Sequence, residues 1–175
     1  LCNTGDEVLL TDPGYACYAT SDDGTFVYAS NDAAALTLVL SNTSSGGTVK
    51  VAGDCVGVTP RGAAAETLYI DKDVTIVGGF DPDDWSQTQP ELFPTNLIAN
   101  NVGSVVVVTA GSQAVLRDLN LSGGASISGA GIFNEGILSL ERVSITDNIA
   151  QQEGGGIHNL GTLTIDSSLV AMNSA

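Results

Sequence analysis

Residues 129–150 read GAGIFNEGILSLERVSITDNIA, and residues 154–175 read GGGIHNLGTLTIDSSLVAMNSA. Set 25 positions apart, they place Gly131 on Gly156, Ile132 on Ile157, Asn134 on Asn159 and Gly136 on Gly161. Leu138 then meets Leu163, Leu140 meets Ile165, Ile145 meets Val170 and Asn148 meets Asn173. An earlier copy, AVLRDLNLSGG at 114–124, fits with an offset of 24, with Leu116, Leu119 and Leu121 in the places of Leu140, Val143 and Ile145. Self-similarity at a fixed short period marks an architecture in which each unit stacks on the one before.

Within a unit the apolar residues alternate, as in Leu138-Ser-Leu140 and Val143-Ser-Ile145. That period of two belongs to strands; helical repeats need longer runs at 3.6. Three short strands per turn account for the repeat length. The predicted fold is all-β: a right-handed parallel β-helix of about five turns, its rungs stacked at about 4.8 Å with apolar residues inward. Gly131, Gly136, Gly156 and Gly161 fall at the corners, where positive φ or a close backbone approach is expected.

Stacking makes like residues neighbours on adjacent turns. It predicts amide ladders of Asn134 on Asn159 and Asn148 on Asn173. It also predicts cross-rung ion pairs, Arg117 with Glu141 and Asp118 with Arg142.

Upstream the rhythm persists in Thr48–Ala52, Leu68–Ile70, Val74–Ile76, Asn96–Ile98 and Val105–Val108, while 78–90 reads as a longer loop. Residues 30–45 differ. Ser30, Asn31 and Asp32 offer helix N-caps, Ala33–Leu40 is an apolar helix-compatible run, and Gly46-Gly47 is a stop. A helix here would lie across the open end of the first rung, with strands near Tyr15–Thr20 and Thr25–Ala29 completing the cap. The expected division is an N-terminal cap at 1–47 and a β-helix at 48–175.

Composition suits short strands and tight bends: 43% hydrophobic but 5% aromatic, with 21 glycines among 175 residues. Twenty acids against five bases give a net charge of −15, which argues against nucleic acid and anionic lipid as partners. No apolar stretch approaches the roughly 20 residues a membrane span needs. Asp71, Asp73, Asp81, Asp83 and Asp84 are weak calcium candidates without EF-hand or RTX spacing; otherwise no cofactor is expected.

The three cysteines, Cys2, Cys17 and Cys55, lack metal-site spacing. A disulfide formed in an export compartment fits them better, with Cys17–Cys55 the preferred pair. Cys2 also raises a lipid anchor, although one preceding Leu is a meagre lipobox. The start at Leu1 reads as a processed mature terminus.

GGGIHN at 154–159 and GAGIFN at 129–134, followed by Ile145–Asn148 and Val170–Asn173, resemble the GGAI and FxxN signatures of polymorphic outer-membrane proteins. Those belong to the wider pectate-lyase-like superfamily of β-helices. Ile or Val replaces the Phe of the second signature here, and no membrane β-barrel follows. The resemblance implies a bacterial surface fold more than an activity.

An enzymatic reading finds little. The NxD, DD, GHG and RIK-type segments of polygalacturonases are missing where a cleft would form. His158 is flanked by Ile157 and Asn159, aligns with Phe133 and reads as a corner side chain. Glu141 and Asp166 approach the carboxylate spacing of a glycosidase, but a charge ladder through Arg117 explains them as well. Trp85 reads as an N-terminal plug before a sugar platform. The expected role is therefore secreted, non-enzymatic and structural or adhesive. Either copies stack end to end through an open C-terminal rung and the N-terminal cap, or the chain opens a longer repeat adhesin. Polysaccharide binding or cleavage is the alternative, with glycans as partners.

Overall fold

The computed structural model describes residues 14–62 and 64–175, so Cys2 lies outside the described residues. The cap comprises β1 (Cys17–Thr20), β2 (Tyr28–Ser30) and α1 (Ala34–Asn42). The first turn follows with β3 (Gly47–Val56), β4 (Thr59–Arg61) and β5 (Ala64–Ile70). The second holds β6 (Val74–Val77), β7 (Phe80–Asp81), β8 (Asp84–Thr88), β9 (Asn96–Ile98) and β10 (Ser104–Val108). The third comprises β11 (Gln113–Arg117), β12 (Asn120–Ser122), β13 (Ala125–Ser128) and β14 (Ile132–Asn134). The fourth comprises β15 (Ile137–Glu141), β16 (Ser144–Thr146), β17 (Ile149–Glu153) and β18 (Ile157–Asn159), and the fifth β19 (Thr162–Asp166) and β20 (Leu169–Ala171).

These strands form a parallel β-solenoid of about five turns. One face runs β3-β6-β11-β15-β19, a second β3-β9-β12-β16-β20, and a third β5-β10-β14-β18. The register is the one the repeat demands: Leu138 pairs with Leu163, Ile145 with Val170 and Phe133 with His158. Inside, Leu116, Leu121, Leu138, Leu140 and Ile145 are fully buried and form one continuous column with Val49, Ile76 and Leu97. Burying each such side chain contributes about 1.5–3 kcal/mol, which offsets the ordering of short strands that would not persist alone.

Three details depart from the sequence reading. Residues 80–88 are a β-hairpin, not a loop: β7 and β8 pair antiparallel. Trp85 stacks on Phe80 with ring centroids 5.6 Å apart, and both join Tyr18, Ala52 and Val77 in a second small core outside the coil. The third and fourth turns carry a fourth short ladder, β13 on β17. His158 sits mid-strand in β18, its ring stacked on Phe133 at 5.2 Å, rather than at a corner.

At the corners, of the two roles the sequence allowed its glycines, the structure shows the close approach and not positive φ. None of Gly131, Gly136, Gly156 and Gly161 has positive φ; the left-handed positions are held by Asp118, Arg142 and Ser167 at one corner and by Gly123, Asp147 and Met172 at the next. The four glycines are needed for close approach, since a Cβ on Gly161 would collide with the Gly136 carbonyl oxygen below it.

Helix α1 starts at Ala34 with Ala33 as its N-cap residue. Ser30 Oγ and Asp32 Oδ1 nonetheless accept the Ala35 and Ala34 N–H groups, both at 2.9 Å, so the predicted capping side chains act from two and four residues further back than Ala34. At the other end Lys72 Nζ donates to the carbonyls of Leu40 and Thr43, where the helix dipole favours a cation. Ala35, Leu36, Val39 and Leu40 bury the apolar end of the coil. β1 runs antiparallel along Lys50–Gly53, and β4 antiparallel along Ala64–Glu66. The N-terminal edge is thereby closed. A buried disulfide, Cys17–Cys55, fastens β1 to β3.

Candidate functional site

The polar residues singled out by the repeat gather into columns along the coil. Arg117 Nη2 and Nε both reach Glu141 Oε2 at 2.7 Å. Arg142 forks onto Asp118, Nε to Oδ1 at 2.7 Å and Nη2 to Oδ2 at 2.9 Å. The Arg117 hydrogen bond holds the Glu141 carboxyl below its ordinary range, and Asp118 holds the Arg142 guanidinium up in turn. Asp166 lies in register with Glu141. Arg117 is thus bound to one of the two carboxylates a glycosidase reading would need free.

The asparagine columns are as regular. Asn134 Nδ2 donates to Asn159 Oδ1 at 2.6 Å, and Asn148 Nδ2 to Asn173 Oδ1 at 3.0 Å. Asn134 and Asn148 are wholly buried, so these bonds satisfy amides that would otherwise cost about 1–3 kcal/mol each. A third column was not anticipated: Asn96 donates to Asp54 at 2.6 Å and Asn120 to Asn96 at 2.9 Å, on the outer face of β9 and β12. Its signal, polar residues 24 positions apart at 96 and 120, lay where the repeat had degraded.

The calcium candidates do not converge. Asp73, Asp81 and Asp84 accept the backbone N–H groups of Gln113, Asp83 and Ser86, respectively. Ser86 holds the Asp84 carboxyl below its ordinary range through those contacts. Asp71 faces a different cavity. Among the described residues no three His, Cys, Asp or Glu side chains form a group able to hold a metal ion.

Two concavities stand out among the described residues. One, of about 300 Å³, lies between α1 and β4–β5, lined by Arg61, Glu66, Thr67, Tyr69 and Lys72. Burial pushes the Glu66 carboxyl above its ordinary range, against the pull of Arg61. Arg61 Nε lies 2.6 Å from Glu66 Oε1, close enough for an ion pair but out of line for a straight hydrogen bond, and its guanidinium stacks on Tyr69 at 4.1 Å. The other is an open groove of about 520 Å³ beside Pro90–Thr95, floored by Asn120, Arg142 and Ser144.

Comparison of the chain with models of known families, with curated proteins and with solved structures finds no match. Among the described residues no helix is long and apolar enough to cross a membrane.

Proposed function

We propose that this chain is an extracellular, non-enzymatic β-solenoid of a bacterial surface, similar to the pectate-lyase-like repeats of polymorphic outer-membrane proteins, whose role is to stack and present. One observation carries the reading. Ile165 and Val170 occupy core positions yet are 47% and 45% exposed, whereas their counterparts Leu140 and Ile145 one turn earlier are 0% exposed. A rung that shows apolar side chains and an unpaired strand edge offers a surface on which another strand can pair. The disulfide is consistent with an extracellular location.

End-to-end fibres of whole copies are disfavoured, because β1, β4 and α1 cover the surface a neighbour's open rung would need. Electron microscopy of the purified chain at neutral pH tests this; regular filaments built from it alone would overturn it.

The open groove beside Pro90–Thr95 keeps carbohydrate as the second reading. Reducing-sugar and unsaturated-uronide assays on plant and microbial polysaccharides decide between them. The structural role predicts no product, and cleavage abolished by Glu141→Gln or Asp166→Asn would replace it.

A further inference from the structure

The cavity between α1 and β4–β5 is walled by polar groups that the fold leaves unanswered. Glu66 is 2% exposed and Thr67 1% exposed, and both line it. Among the described residues, Glu66 Oε1 and Thr67 Oγ1 are the two buried side-chain polar atoms without a hydrogen-bond partner. Arg61 balances the Glu66 charge but aims no straight N–H at that oxygen. Buried polar atoms are ordinarily paired, so two unpaired ones in a single wall call for a partner from outside the chain. The backbone adds to them. β4 pairs with Ala64–Glu66 and goes no further, so from Thr67 to Ile70 this edge of β5 has no strand beside it among the described residues.

The chemistry of the wall selects the ligand. Thr37, Ser41, Thr59, Thr67 and Tyr69 bring hydroxyls to it, while Leu40 and Leu68 are its only aliphatic side chains. An apolar ligand therefore finds little to pack on. The charges balance, with Arg61 and Lys72 against Glu66 and Asp71. Arg61 is committed to Glu66 and the Tyr69 ring, and Lys72 to the carbonyls that end α1, which leaves an anion no cation to bind. No three carboxylate, His or Cys side chains among the described residues gather for a metal. A hydroxyl both donates and accepts, and so suits a carboxylate oxygen and a threonine side by side. The volume, about 300 Å³, is at the small end for ligand sites and suits a single sugar ring.

We propose that this cavity binds one neutral, polyhydroxylated ring, a monosaccharide either free or at the end of a glycan, through hydroxyls that bond Glu66 and Thr67. The site is independent of the stacking role and shares no lining residue with the open groove beside Pro90–Thr95.

The test titrates glucose, galactose, mannose and xylose into the full chain and follows its backbone amides by NMR. Glucosamine and glucuronate serve as charged counterparts. At least one neutral sugar shifts the amides of Thr67, Tyr69 and Lys72 saturably, and the charged rings bind more weakly. Thr67→Val keeps the shape and removes an unpaired hydroxyl, so the variant melts no lower than the parent chain. Its affinity nonetheless falls about fivefold, the scale of one hydrogen bond, whereas Thr67→Ser retains it. Methyl glycosides of the sugar that binds separate the two sources: a glycan end tolerates the substituted anomeric oxygen, and a free sugar does not.

Three results would each overturn the site: no saturable shift with any neutral sugar, tighter binding of a charged counterpart, or a Thr67→Val variant that binds unchanged. Shifts confined to Asn120 and Ser144 would put the sugar in the open groove and overturn it as well.

Discussion

Gly131 and Asn148 fit against each other across the third and fourth turns. A Cβ on Gly131 would stand 3.0 Å from Asn148 Nδ2 and 2.8 Å from Ile145 Cγ2, and both neighbours are wholly buried. The recurrent glycine and the asparagine of the second signature are thus two halves of one contact. Gly131→Ala destabilises by about 1–3 kcal/mol through overpacking. Gly156→Ala makes the equivalent approach to Val170, which is half exposed and free to yield, so it costs less. Thermal melts of the two variants check the order; equal losses would contradict it.

Met172 holds a left-handed corner at φ 54° with its side chain 74% exposed, so it carries backbone strain without packing in return. Met172→Asn, a residue that tolerates this region, stabilises the fold by up to about 1 kcal/mol. Chemical denaturation with an unchanged m-value is the measurement, and a destabilised variant would refute the strain argument.

Glu66 is buried and its carboxyl is pushed up, so the folded state binds its proton more tightly than the unfolded chain. Stability from this group is present below the unfolded value and lost as pH rises through the folded one. Arg61 limits that loss. Arg61→Ala therefore costs about 1–3 kcal/mol at pH 8 and distinctly less near pH 3, where Glu66 is protonated in both states. Urea titrations at the two values check this; a loss independent of pH would show that Arg61 acts only by stacking on Tyr69.

Glu141 works in the opposite sense. Arg117 lowers its carboxyl, so its contribution is present above the unfolded value and lost as pH falls through the folded one. The pair is partly exposed, so Glu141→Gln costs no more than about 1 kcal/mol at pH 7 and nothing at pH 2. A larger loss at pH 2 than at pH 7 would reverse the assignment.

The Cys17–Cys55 bridge closes a 38-residue separation and joins the cap to the first turn. Replacing both cysteines by Ala costs about 2–4 kcal/mol. The loss shows first as faster amide exchange in β1, while β15 and β16 stay protected, since each turn contacts only its neighbours.

The period of 24 to 25 and the alternation inside it were enough to determine the coil, its register and the partners of Arg117, Asp118, Asn134 and Asn148, because stacking places equal positions one strand spacing apart. Upstream, insertions broke the period, so the Asp54–Asn96–Asn120 column and the hairpin carrying Trp85 came only from the folded chain. The roles of Gly131 and Gly156 also depended on tertiary structure: sequence flags a glycine, but whether φ or a neighbour demands it is a matter of what lies across the corner. So did the closed N-terminal edge. Strand direction in β1 and β4 is set by how the cap packs on the core, and no local pattern of residues encodes whether a short strand meets its neighbour parallel or antiparallel.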